Sequence, residues 1–186
     1  ETLSRMTDYS DRNTCVLFGD GAGAVVVTPS DGQAGLLGTL MGSDGRYADL
    51  LYVPGFGTKY PPSLEYVKAG YQFIKMEGRE VFKQAVTAMG EAASRILQQT
   101  GLNSDQVDLL IPHQANLRII EATAKKISIP LERVFINLAK YGNTSAASIP
   151  IALDEARRMG RLSQGRVVVM VAFGGGLTWA SAAVRF

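Results

Sequence analysis

The chain has 186 residues, 46% of them hydrophobic and only 19% charged, with a formal net charge of +2. That balance describes a globular protein with room for a substantial core, excludes a disordered chain, and argues against a general nucleic-acid binder. A single cysteine, Cys15, rules out an intramolecular disulfide and fits a reducing, cytoplasmic setting, while the longest apolar run, Val167–Phe173, falls far short of the roughly 20 residues a membrane helix needs.

From the N-terminus, Glu1-Thr2-Leu3-Ser4-Arg5 has neither an initiator Met nor a signal-peptide pattern, so the sequence reads as a portion of something longer. Thr14–Phe18 is a short β-rich run, Gly19–Gly23 a glycine turn and Ala24–Thr28 a second run. Pro29–Gly32 is a turn and Gly35–Met41 a strand. Gly42–Pro62, with its prolines, tyrosines and Gly-Phe-Gly, reads as a loop. In Gly78–Thr100, Val81, Phe82, Ala85, Met89, Ala92, Ala93 and Ile96 recur every three or four residues, which predicts a helix stopped by Gly101.

Val107–Ile111 predicts a buried strand, Gln114–Ile127 a helix, Val134–Asn137 a strand and Ser145–Met159 an alanine-rich helix. Arg166–Ala172 and Leu177–Phe186 are strands around Gly174-Gly175-Gly176. The strand–glycine turn–strand unit thus occurs twice, about 155 positions apart, which suggests a duplicated architecture. Alternating strands and helices make the fold class α/β, with a sheet covered on both faces.

His113, the only histidine, sits in Ile111-Pro112-His113-Gln114-Ala115-Asn116, where a strand gives way to a helix. Asn143, in Tyr141-Gly142-Asn143-Thr144-Ser145, follows thirty positions later at a similar junction. Ligands of α/β proteins bind beyond the carboxyl ends of strands, so imidazole and carboxamide are placed to converge on one substrate oxygen. A helix opening at Gln114 would favour neutral imidazole, suited to stabilising an oxyanion or enolate. The competing readings are a structural histidine and an ordinary Asn turn or cap. No metal site is expected, since no second His or Cys pair completes one.

Gly19–Gly23 is followed by Ala24-Val25-Val26-Val27, a strand pattern, so it is not a dinucleotide fingerprint, which must open a helix. The backbone N–H groups of Gly174–Gly176 suit a substrate oxygen. Cys15 lies inside an apolar run with no activating base or helix start, and reads as a packing residue. Arg118, Lys125 and Lys126 on the helix after His113 are either a solvated surface or a basic patch for an acidic partner.

These segments are recognisable. Asp11-Arg12-Asn13-Thr14 with Phe18-Gly19-Asp20-Gly21-Ala22-Gly23-Ala24, His113-Gln114-Ala115-Asn116-Leu117-Arg118-Ile119-Ile120, Tyr141–Pro150 and Phe173-Gly174-Gly175-Gly176-Leu177-Thr178-Trp179 resemble, in order, the motifs of the β-ketoacyl-acyl-carrier-protein synthase III family. The resemblance implies a thiolase-like layered αβαβα architecture, with residues 1–28 the last strands of an N-terminal half and 29–186 the C-terminal half. It implies a homodimer that joins a short acyl group from acyl-CoA to malonyl-acyl carrier protein with loss of carbon dioxide, with no cofactor beyond acyl-CoA as substrate. By motif, His113 and Asn143 would bind the malonyl thioester carbonyl and the Gly175 N–H would serve the oxyanion hole. Arg12 would contact adenine, Phe82, Ala115 and Asn116 would line the pantetheine channel, and Phe18 and Phe173 would wall the acyl pocket. Arg118, Lys125 and Lys126 would dock the carrier protein.

One departure is large: the family's Ala-rich segment around its nucleophilic Cys has no counterpart here, so the isolated chain is expected to lack the thioester-forming step. Pro54–Pro62 is atypical as well. The alternatives are a related thiolase-fold polyketide or alkylquinolone-type synthase, and a non-catalytic acyl- or CoA-binding fragment.

Overall fold

A computed structural model describes residues 1–30, 32 and 34–186. In chain order the elements are β1 (Gly35–Ser43), β2 (Leu51–Tyr52), α1 (Leu64–Lys68), β3 (Lys75–Met76), α2 (Gly78–Thr100), β4 (Leu109–Pro112), α3 (Leu117–Lys126), α4 (Leu138–Tyr141), α5 (Ser148–Arg158), β5 (Val167–Gly174) and β6 (Thr178–Arg185). The main sheet has the order β1-β6-β5-β4, antiparallel except for the parallel β4–β5 pair, and β2 with β3 forms a small second sheet.

Alternation along the strands divides the core in two, because successive side chains point to opposite faces. Leu110, Val169, Val171 and Phe173 face α2 and α3, where they meet Met89, Ala93, Ile96 and Ile120. Leu109, Ile111 and Val168 face α5, where they meet Ala152 and Ala156. Small residues let α5 lie close: Ser148, Ala152 and Ala156, spaced by four, form its buried stripe. The helix α2 has the predicted bounds, and Gly101 closes it in the left-handed region at φ 67°, its N–H returning to the carbonyls of Leu97 and Gln98.

Several expectations shift. Thr14–Phe18 is a set of turns and Ala24–Thr28 has no regular structure; the pairings nearby are isolated bridges, Phe18 with Asn143 and Asp20 with Thr2. Val25, Val26 and Val27 are 66–92% exposed. The strand pattern is present in the residues, but no other described segment lies alongside to complete a ladder, and a strand without a neighbour leaves its N–H and C=O groups unpaired. The glycine-turn unit is therefore realised once, as the β5–β6 hairpin. Val134–Asn137 likewise makes one bridge, Val134 with Leu110, instead of a strand. The loop Gly42–Pro62 contains a 3-10 turn over Gly45–Leu50 and the short β2. Asp31, inside the expected turn Pro29–Gly32, lies outside the described residues.

Ile120, with none of its surface exposed, sits where α3 meets α2 and the sheet. Ile120→Ala is expected to cost about 2–5 kcal/mol in urea unfolding, whereas Glu121→Ala on the exposed side of the same turn should stay within about 0.5 kcal/mol.

Candidate functional site

Because β4 and β5 run parallel, their carboxyl ends open on the same side of the sheet, and a cavity of about 1420 Å³ lies there. His113 follows the last residue of β4 and is tied to β5 by its own N–H, which donates to the Val171 carbonyl at 2.8 Å. Phe173 and Gly175 arrive on β5 and the turn after it, and Phe82 arrives from α2. Ala115 and Asn116 line the cavity from the connection between β4 and α3.

Asn143 enters from a different direction. Its backbone pairs with the segment after Cys15: the Gly19 N–H donates to the Asn143 carbonyl at 2.9 Å, and the Asn143 N–H to the Leu17 carbonyl at 3.0 Å. Phe18 lies between these bonds and lines the same cavity. Gly19 is required here, since a Cβ on it would land on the Tyr141 carbonyl oxygen. The Asn143 Oδ1 accepts from the Ser145 N–H at 2.9 Å, which commits the oxygen and leaves the amide N–H groups as the free donors. Ser145 meets that demand at φ 50°, an uncommon conformation for a residue with a Cβ.

Two polar side chains, one buried and one half-buried, brace these loops. Gln114, 1% exposed, donates from Nε2 to the carbonyls of Pro112 (2.8 Å) and Phe135 (3.1 Å), and its Oε1 accepts from the Asn137 N–H at 3.0 Å. Glu155 on α5 accepts from Asn137 Nδ2 (2.7 Å), Lys140 Nζ (2.5 Å) and Tyr141 O–H (2.7 Å). Hydrogen bonds from Lys140, Asn137 and Tyr141 hold its carboxyl down to about 2. Asn143 begins two residues after that clamp.

The helix after His113 starts at Leu117 rather than Gln114, because Asn116 caps it by accepting from the Arg118 N–H at 2.9 Å. A helix N-terminus is thus not what governs the imidazole. Burial is: His113 is 9% exposed, and desolvation pushes its pKa down from 6.5 to about 4, so it is neutral near pH 7.

Of the residues singled out in the sequence, His113, Asn143, Gly175, Phe18, Phe82, Ala115, Asn116 and Phe173 share the one cavity. Arg12 is exposed and next to the lining residue Asn13 without lining the cavity itself. Arg118 is exposed at the start of α3, and Lys125 and Lys126 are exposed in its last turn. Cys15 is half-buried in a turn. Among the described residues no group of three or more His, Cys, Asp or Glu side chains is placed to hold a metal, and no helix is long and apolar enough to cross a membrane. Gln114 and Glu155 carry no signal of this bracing in the sequence, where each reads as an ordinary polar residue. Chemically, imidazole and carboxamide donors in a mainly apolar cavity are suited to stabilising negative charge on a substrate oxygen.

The pH dependence of stability follows. The unfolded chain takes up the His113 proton at about 6.5 and the folded one only at about 4, so stability is complete above the first value and is lost as pH falls towards the second. Unfolding measured at pH 7 and pH 4 should show a loss of roughly 3 kcal/mol from this group, absent in His113→Gln.

The family model for the 3-oxoacyl-[acyl-carrier-protein (ACP)] synthase III C terminal matches residues 97–186, and a second model, for 3-oxoacyl-[acyl-carrier-protein (ACP)] synthase III, matches residues 1–45. The chain is 55% identical over its whole length to a beta-ketoacyl-[acyl-carrier-protein] synthase III of Roseiflexus castenholzii, covering 56% of that protein, and 50% identical to one of Clostridioides difficile, again covering 56%. It therefore spans a little over half the length of the curated relatives it matches. Among solved structures, a 3-oxoacyl-[acyl-carrier-protein] synthase III from Aquifex aeolicus superimposes with a TM-score of 0.88 at 48% identity, over 99% of this chain and 55% of the other. A priming beta-ketosynthase from the R1128 polyketide pathway superimposes with a TM-score of 0.87 at 34% identity, over 99% and 54%.

Proposed function

The chain belongs to the 3-oxoacyl-[acyl-carrier-protein] synthase III family and has its thiolase-like α/β fold, and from that premise we propose that it carries the decarboxylation half of a condensing acyltransferase. The substrates are a short acyl-CoA and a malonyl-carrier protein, and the product is a 3-oxoacyl-carrier protein. The observation that carries this reading is that His113 and Asn143, the latter with its side-chain oxygen already bonded to the Ser145 N–H, line the cavity that also receives Gly175.

Carbon dioxide leaves the malonyl thioester with the electron pair of its bond remaining on the α-carbon and spreading to the thioester oxygen. Donors at His113 and Asn143 stabilise that oxygen as charge develops, and neutral imidazole does so without requiring a proton from solvent. The α-carbon then attacks the acyl thioester carbonyl; the tetrahedral oxyanion, held at the Gly175 N–H, collapses and expels the cysteine thiolate. That cysteine lies outside this sequence. Phe18 and Phe173 wall the acyl group, Phe82, Ala115 and Asn116 flank the pantetheine arm, and Arg12 meets the adenine end.

Arg118, Lys125 and Lys126 form the docking surface for an acidic carrier protein, at the same end of the fold as Asn116 in the first case and along α3 in the others. Residues 1–28 belong to the tail of a first thiolase-like half and 29–186 to the second. Exposed Val25, Val26, Val27 and Met41 supply apolar surface that the first half or a second copy would bury. The protein works as a cytoplasmic homodimer on this reading. The likeness to a polyketide priming ketosynthase supports a second reading, with the same chemistry and a different acyl donor; a comparison of acyl-CoA donors separates the two.

In the intact protein, Asn143→Ala should lower condensation roughly 10²–10³-fold while acyl loading is spared; equal damage to both steps would falsify the assignment. Labelled acetyl from acetyl-CoA should appear on a cysteine outside this sequence, and label confined to Cys15 would overturn the reading.

A further inference from the structure

The contacts behind the His113 ring bear on more than its charge. Its Nδ1 lies 2.7 Å from the Ser148 Oγ. Ser148 is the first residue of α5, is 3% exposed, and does not itself line the cavity, so this contact is made behind the ring. The Gln114 N–H also reaches the Ser148 Oγ, at a long 3.4 Å, and an N–H can only donate. Among the described residues, those are the two partners of the Ser148 side chain.

The hydroxyl proton consequently has one acceptor, the Nδ1 lone pair. In the reverse arrangement Nδ1–H would donate to Oγ, and the Ser148 proton would be buried without a partner. That cost favours the first arrangement by roughly tenfold or more. With Nδ1 accepting, the proton of the neutral ring must sit on Nε2, the nitrogen left for the cavity. The geometry points to Ser148 as a positioning residue: its buried hydroxyl holds His113 in the Nε2–H form, aimed as a donor at the reacting oxygen.

This deepens the functional reading above and rests on it, since an unprotonated Nε2 would repel the enolate oxygen instead of stabilising it. It also links the two motifs physically, because Ser148 lies five residues after Asn143 and sets the ring that follows β4.

The test is nitrogen NMR of the intact protein carrying isotope-labelled histidine, with the His113 signals identified as those lost in His113→Gln. Nε2 should carry the proton and Nδ1 should not. Ser148→Ala should admit the Nδ1–H form and lower kcat for malonyl-thioester decarboxylation roughly tenfold to a hundredfold, with KM held within about threefold. Ser148→Thr, which keeps the hydroxyl, should restore both. A proton on Nδ1 in the unsubstituted protein overturns the assignment whether or not either variant folds, and so does an unaltered kcat in Ser148→Ala. The NMR reading needs no substrate. A His113→Gln protein that decarboxylates at the unsubstituted rate therefore sinks the functional reading instead, leaving the Ser148 contact standing.

Discussion

The parallel pairing of β4 with β5 is the constraint on which the site depends. It is a short ladder, from Leu109 opposite Val168 to Pro112 opposite Val171, yet it brings the exits of both strands to one edge. His113 leaves one exit and the glycine turn after Phe173 leaves the other. Parallel neighbours need a long crossover between them, and here that crossover contains α3, α4 and α5. The same crossover therefore delivers Asn116, Asn143 and Ser148 to the edge where His113 already stands. Helices on both faces bury the ladder, with α2 and α3 packed on Leu110 and Val169 and α5 on Leu109 and Ile111.

Burying polar groups at that edge costs stability unless each is paired. Gln114 is almost fully enclosed and uses both its donor and its acceptor atoms to join three backbone groups. Glu155 gathers three donors around one carboxylate and keeps its charge, and because one of those donors is the Tyr141 hydroxyl, the carboxylate anchors the turn that presents Asn143. His113 is treated in the opposite way: among the described residues no carboxylate pairs with it, burial strips its charge, and a neutral hydroxyl contacts it from behind. One carboxylate stays ionised and one imidazole stays neutral within the same few turns of chain, because the first has three donors around it and the second is desolvated without a carboxylate partner among the described residues.

The long amphipathic elements were legible in the residues. The stripe from Val81 to Ile96 predicts α2 to the residue, and Gly101 predicts its end because a glycine readily takes the left-handed conformation there. The strands before and after the glycine turn were legible for the same reason. Where the expectations moved, a partner was decisive. Ala24–Thr28 has the composition of a strand and no neighbour in the described chain, so it forms none. Gln114 has the composition of a helix start, but its side chain is used to bridge Pro112, Phe135 and Asn137, and the cap falls to Asn116.

The residue pattern by itself determined the α/β class, the helix and strand periods, and the motifs that resemble a condensing-enzyme family, because these are local properties of side-chain spacing and turn chemistry. It also marked His113 and Asn143 as a pair; His113 does leave a strand, whereas Asn143 follows the short helix α4 instead of the expected strand. Only the tertiary structure decided that Phe18, Phe82 and Phe173 face one cavity with them, that burial rather than a helix dipole makes the imidazole neutral, and that Ser148 stands behind it. Those facts depend on which distant surfaces pack together, and a separation of thirty-five positions between His113 and Ser148 carries no local record of a 2.7 Å contact.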